Sequence, residues 1–308
     1  MDVSPNGNLF AAAHGTQVSL GQISSGQVQL QLTGHVADVT TVQFFSSNLV
    51  VLTGAADFQL KIWSVLNGSN PVTLRGHTSA ITSTAIVAQG RNVLSSSSDG
   101  TIKLWNCGTS SIIANIHLDT PVNKILLVPL PSKYSPAAFE TLDPLEVETA
   151  DKLVLAAMED GSVRGIHLGT KKEIFATSKS DNALTAVAYH NGVLVTGDKH
   201  GLVQLYVMDH GLEQPWLQWK RNGHTITCLV MKLDENGEQV MCVSAGDGSV
   251  YQTNALESML KEKHVQVTTE FAGSELETVY DMKVLPSDPS SGFQRLMCAV
   301  RDGKIKMY

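Results

Sequence analysis

Four residue types return in this chain at a fixed interval of 42 positions. His35 is followed by His77, Thr53 by Ser95, Asp57 by Asp99 and Trp63 by Trp105, and each histidine follows a glycine. A period of this length means stacked supersecondary units, each burying its apolar face against its neighbours. Two near-copies lie inside the repeat, Gly54-Ala-Ala-Asp-Phe-Gln-Leu-Lys-Ile-Trp63 and Ser96-Ser-Ser-Asp-Gly-Thr-Ile-Lys-Leu-Trp105. Weaker echoes of the turn follow at Glu159-Asp-Gly161, Asp198-Lys-His-Gly201, Gly246-Asp-Gly248 and Arg301-Asp-Gly303, and Gly-His recurs at Gly223-His224. Apolar runs precede these turns and alternating ones follow, as in Val193-Leu-Val-Thr196 before Leu202-Val-Gln-Leu-Tyr206. That is strand patterning on both sides of a tight turn.

The pattern resembles WD repeats, which build β-propellers at about 40–45 residues per four-stranded blade. The resemblance is specific in residues 34–105 and degenerate elsewhere. It implies an all-β fold, a seven-bladed WD-repeat β-propeller formed as one domain by residues 1–308. Blades are expected at 1–35, 36–77, 78–119, 120–181, 182–224, 225–274 and 275–308. In the first, His14 and Leu20 stand where later repeats put Asp and Trp. That blade begins midway through its innermost strand and the seventh ends after its third. The propeller is therefore expected to be incomplete at both ends, with further N-terminal sequence or an N-terminal segment supplying the missing strand.

In WD-repeat proteins the four recurring types form a hydrogen-bonded chain inside a blade. The resemblance implies that role for His35, Thr53, Asp57 and Trp63, and for His77, Ser95, Asp99 and Trp105. A buried charge is tolerable when paired and hydrogen-bonded. These sets therefore read as structural brackets and not as catalytic triads, because the turn consumes the imidazole.

Two segments break the pattern. Residues 129–150 carry Pro129, Pro131, Pro136 and Pro144 with Glu140, Asp143, Glu146 and Glu148. That composition suits a disordered-like loop inserted in blade four. Leu256-Glu-Ser-Met-Leu-Lys-Glu-Lys263 suits one or two helical turns decorating blade six.

Composition excludes several functions. The chain has 308 residues, 43% of them hydrophobic, and a net charge of −7. Without a Lys/Arg cluster it is a poor partner for nucleic acid, whose binding draws on neutralised phosphates. Its apolar runs are strand-sized, far below the ~20 residues of a membrane span. The start, Met1-Asp-Val-Ser-Pro-Asn-Gly-Asn, lacks the features of a secretory signal. Cys107, Cys228, Cys242 and Cys298 show no metal-ligand spacing and read as small apolar residues of a reducing compartment. No G-x-S-x-G, H-E-x-x-H, Walker A or G-x-G-x-x-G motif occurs. A non-enzymatic protein without cofactor or metal is expected, because propeller function sits in residues placed on the scaffold.

A finer resemblance lies in Gln59-Leu-Lys-Ile-Trp-Ser-Val-Leu-Asn-Gly-Ser-Asn-Pro71, Ile86-Val-Ala-Gln-Gly-Arg-Asn-Val-Leu-Ser95 and Asp99-Gly-Thr-Ile-Lys-Leu-Trp-Asn-Cys-Gly108. These stretches resemble the proteasomal ATPase-associated factor family, as do Val279-Tyr280 and Arg301-Asp302-Gly303. Members are WD-repeat chaperones with an N-terminal domain ahead of the propeller, a domain expected to be absent from residues 1–308. They hold the C-terminal domain of a regulatory-particle ATPase subunit and release it as the base assembles. The resemblance implies a monomeric, cytoplasmic and nuclear protein whose acidic face meets basic side chains of the partner.

The residues for that face come from the loops leading into each innermost strand and from the turn before each blade's Asp. The loops contribute Asp38, Ala80, Pro121, Ala183, Thr225 and Thr278, and the turns Ala56, Ser98, Glu159, Gly197, Gly246 and Arg301. Most are small or neutral. Asp38, Glu159 and Glu277 stand out as candidate partner-binding acids, with Tyr280 as an apolar anchor and Arg301 nearby. The alternatives are a ubiquitin-ligase substrate receptor and a reader of basic tails. Ligase receptors usually carry W-D-x-R, whereas this chain has Trp63-Ser64 and Trp105-Asn106.

Overall fold

The structure, a computed structural model, describes residues 1–134, 142–273, 277–286 and 294–308. The described strands form seven separate antiparallel sheets, each with its strands in chain order. The chain divides into two units. The first, Met1–Glu159 with Val163–Ala176, holds the strands of blades one to four. The second, Asp160–Ser162 with Thr177–Tyr308, holds those of blades five to seven. Seven such sheets make the fold an all-β, seven-bladed propeller.

Blade two shows how the sequence builds a sheet. Its strands are Val39–Phe44, Val50–Ala55, Gln59–Ser64 and Val72–Arg75. The second and third are buried along most of their length, while the fourth is partly exposed. The middle strands are thus buried runs rich in apolar residues, and they enclose Thr53 and Lys61 as buried polar side chains. Blade three repeats this with Ile81–Val87, Asn92–Ser97, Thr101–Asn106 and Ser111–His117. In the first sheet the innermost strand is Asp2–Val3, and in the seventh sheet three strands pair, Val279–Val284, Leu296–Val300 and Ile305–Met307.

Adjacent blades within a unit approach closely at one glycine. A Cβ on Gly54 would lie 2.5 Å from Ile81 of blade three, and one on Gly197 would lie 2.4 Å from Ile226 of blade six. A threonine ties the same seams. Thr40 Oγ1 lies 3.0 Å from the Gly54 carbonyl and 2.7 Å from that of Ile81. Thr185 repeats this in the second unit, at 3.2 Å from Gly197 and 2.6 Å from Ile226.

The two irregular segments take different forms. Residues 129–150 join strands Val122–Pro129 and Lys152–Met158, and 135–141 lie outside the described residues. The described half beyond them is docked, in contrast to the expected loose loop. Buried Asn92 of blade three receives the Val147 amide at 2.7 Å and donates to the Leu145 carbonyl at 3.1 Å. Glu146, its side chain 4% exposed, pairs with Lys171 at 2.7 Å. Backbone groups of an acidic, proline-rich segment thus find polar partners that its composition does not reveal. The helix forms at Leu256–Glu262 and buries Leu256 and Met259. Trp216 Nε1 donates to the Leu260 carbonyl, and the Lys263 ammonium lies 4.0 Å from the Trp216 ring.

Candidate interaction site

The recurring side chains meet as a chain of hydrogen bonds. In blade two the Trp63 indole N–H donates to Thr53 Oγ1 at 2.8 Å. Thr53 Oγ1 lies 2.8 Å from His35 Nε2, and His35 Nδ1 lies 2.8 Å from Asp57 Oδ2. In blade three Trp105, Ser95, His77 and Asp99 repeat all three distances. With the indole donating to the hydroxyl, the hydroxyl proton goes to Nε2, which leaves Nδ1–H for the carboxylate. A neutral imidazole satisfies every member. Burial holds both imidazoles below their ordinary value, against the opposing pull of Asp57 and Asp99.

The two carboxylates differ through one residue. Burial alone would raise Asp99, but the Thr101 hydroxyl, the Thr78 amide and His77 together bring it to about 2. Thr101 donates to it at 2.6 Å. Blade two has Gln59 at that position and supplies only the amide, at 3.1 Å. Burial likewise opposes the lowering of Asp57, which His35 and the Val36 amide bring about.

Other blades keep the turn carboxylate and change its donor. Asp160 takes the Lys179 ammonium at 3.0 Å. Asp247 takes Asn222 Nδ2 at 2.6 Å, whereas His224, expected from the recurring Gly-His, is exposed. Asp302 takes Lys304 at 2.8 Å.

The loop and turn positions selected for the face are joined by backbone bonds. The amides of Ala56, Ser98, Glu159, Gly246 and Arg301 donate to the carbonyls of Asp38, Ala80, Pro121, Thr225 and Thr278. Blade five requires a correction. There the Ala183 carbonyl receives the amide of Lys199, not Gly197. Gly197 pairs with Val203 as Gly54 pairs with Leu60, so His200 occupies the position of Asp57 and Tyr206 that of Trp63. Asp198 lies two positions earlier, where its carboxylate still receives the His200 and Leu202 amides, both at 2.8 Å. Capping from the neighbouring strand end replaces capping from within the turn, and alignment on the aspartate misses it.

The candidate acids sit in different surroundings. In the first unit Asp38 is exposed, and none of its ion pairs is seen among the described residues. Glu159 is exposed and accepts from Asn123 Nδ2 at 2.8 Å. In the second unit Glu277 is half-buried and near enough to Lys304 to help raise that ammonium, although the Asp302 hydrogen bond is the main cause. Tyr280 is 60% exposed on strand Val279–Val284, and Arg301 is exposed. Two exposed apolar residues stand two positions from the ends of the Asp38–Ala56 backbone bond. Val36 is 82% exposed and Phe58 is 43% exposed. The signal for them in the sequence was Phe58 itself, standing where the next repeat has Gly100.

Three thiols are held towards their protonated form by burial. Burial pushes Cys107 up to about 11, and it is the main cause that takes Cys242 and Cys298 to about 12. Un-ionised thiols in apolar surroundings are unreactive.

Residues 26–64 and 68–106 each match the family model described as WD domain, G-beta repeat. Each matched span runs from the outermost strand of one blade, Val28–Thr33 or Val72–Arg75, through the third strand of the next. The repeat thereby links neighbouring sheets. No curated protein matches the chain. WD40 propellers are typically non-catalytic, so the chain is read as a protein-interaction scaffold. Among the described residues no helix is long and apolar enough to cross a membrane.

Proposed function

We propose that this scaffold is an assembly chaperone of the proteasome regulatory particle. It holds the C-terminal domain of one ATPase subunit until that subunit joins the base, and it works as a monomer in cytoplasm and nucleus. The partner class follows from the resemblance carried by residues 59–71, 86–95 and 99–108. The structural observation that supports a basic partner is Asp38, an exposed carboxylate on a loop that its own carbonyl fixes to Ala56. Glu159 in the first unit, and Glu277, Tyr280 and Arg301 in the second, are the further proposed contacts. Exposed ion pairs contribute about 0–1 kcal/mol, whereas desolvated interface pairs couple by a few. Binding that excludes water around Asp38 would therefore matter more than net charge.

Affinity capture with the full chain as bait tests the partner. Recovery of regulatory-particle ATPase subunits supports the reading. Recovery of a ligase adaptor or of histones instead, or of no ATPase subunit, rejects it.

A further inference from the structure

The strongest departure from the repeat lies in the turn of blade two. In blades three, four, six and seven the residue after the turn aspartate is glycine, with φ of 76° at Gly100, 75° at Gly161, 89° at Gly248 and 81° at Gly303. Each follows its aspartate directly in sequence. Blade two keeps the same backbone, φ 69°, but places Phe58 there. The Phe58 amide closes the turn on the Ala55 carbonyl at 3.2 Å, as the Gly100 amide does on Ser97. A bulky L-residue in the left-handed region is strained, and such strain concentrates at functional sites.

Three neighbours give that residue a context. The Asp57 carboxylate before it receives the Val36 amide at 3.1 Å, so Val36 and Phe58 flank one side chain. Val36 is the most exposed large apolar residue in the described structure. Asp38, two residues on, is bonded through its carbonyl to Ala56, two residues before Phe58. One loop cluster, joined by these hydrogen bonds, thus carries two exposed apolar residues and an exposed carboxylate. Blade three places Thr78, Gly100 and Ala80 at these positions, so the scaffold does not require the group.

We infer that Val36, Phe58 and Asp38 form the anchoring seat for the partner, taking a Lys or Arg on Asp38 with an adjoining apolar side chain against Val36 and Phe58. This rests on the chaperone reading above and names the contact it uses. An aromatic and a carboxylate together suit that pair, since the aliphatic stem of a basic side chain covers apolar surface while its charge meets the acid.

Calorimetric titration of the full chain with isolated C-terminal domains of the regulatory-particle ATPases tests it, using wild type, Phe58→Gly and Val36→Thr. Both substitutions install the residue that blade three carries. The expected result is a Kd weakened about 10-fold or more for each variant, with the Tm of Phe58→Gly equal to or above wild type because the turn strain is relieved. Wild-type affinity in both variants overturns the seat and leaves the chaperone reading standing. A lower Tm in Phe58→Gly also overturns the seat, since the ring would then be kept for packing. If the wild-type chain binds none of the domains, the chaperone reading falls and takes the seat with it.

Discussion

His77 and Asp99, 22 positions apart in the chain, meet at 2.8 Å between Nδ1 and Oδ2, and Thr101 donates to the same carboxylate from its other side. The pair closes blade three between the loop before its first strand and the turn between its second and third. Asp99→Ala removes the acceptor for the imidazole, for the Thr101 hydroxyl and for the Thr78 amide. We expect a loss of about 3 kcal/mol in urea unfolding, more than for Asp57→Ala, whose carboxylate lacks the hydroxyl donor. Equal losses at the two positions would contradict the role given to Thr101.

Ser95 is the next link, with Trp105 Nε1 and His77 Nε2 both at 2.8 Å from its hydroxyl. Ser95→Ala strands two buried polar groups and should destabilise by about 2 kcal/mol. Ser95→Thr should lie within about 0.5 kcal/mol of wild type, because Thr53 already does this work in blade two. Chemical denaturation of both variants checks the contrast.

Stability should fall on acidification in two stages. The folded His35 and His77 sit below their ordinary 6.5, so the unfolded chain binds the proton more readily. Their contribution is present above about 6.5 and is lost as pH falls below it. The lowered carboxylates act next. The Asp99 contribution is present above 3.8 and is lost as pH falls towards about 2, and that of Asp57 is lost below the same starting value. Urea midpoints between pH 8 and pH 4 should therefore decline from about pH 6.5 downwards, and less so in a His35→Gln/His77→Gln chain.

Asn92 holds the second half of the blade-four insertion through the Leu145 carbonyl and the Val147 amide, while donating also to the Trp105 carbonyl at 3.2 Å. Asn92→Ala should release residues 142–150. Limited proteolysis should then cut within this segment at least tenfold faster than in wild type. An unchanged cleavage rate would show that Glu146 and Lys171 suffice to hold it.

Much of the fold was legible because Trp63, Trp105 and the two Gly-His pairs mark the period without ambiguity. The bracket chemistry was legible in the same two blades, where all four residue types are present. Elsewhere physics permits substitutes that share no letter with the repeat. Lys179 and Asn222 donate to turn carboxylates in place of histidine, and Asp198 caps its turn from the neighbouring strand end. The last substitution misaligned blade five and assigned Gly197 a place that Lys199 holds. The docking of residues 142–150 was hidden for a different reason, since it depends on a buried asparagine in another blade. Of the candidate face, Asp38 and Tyr280 could be read as exposed positions, but the company of Asp38 could not. Nothing in the pattern says how far Val36 stands in solvent, although Phe58 in place of glycine was there to be noticed.

In the proposed function, acidic and aromatic side chains on this scaffold seat the C-terminal domain of a regulatory-particle ATPase. The most direct measurement is the affinity of the full chain for that domain, in wild type and in Asp38→Lys/Glu277→Lys, alongside the Tm of each. Wild type is expected to bind, with affinity weakened about tenfold or more by the double reversal and the Tm unchanged. Undiminished affinity in the double variant would contradict it.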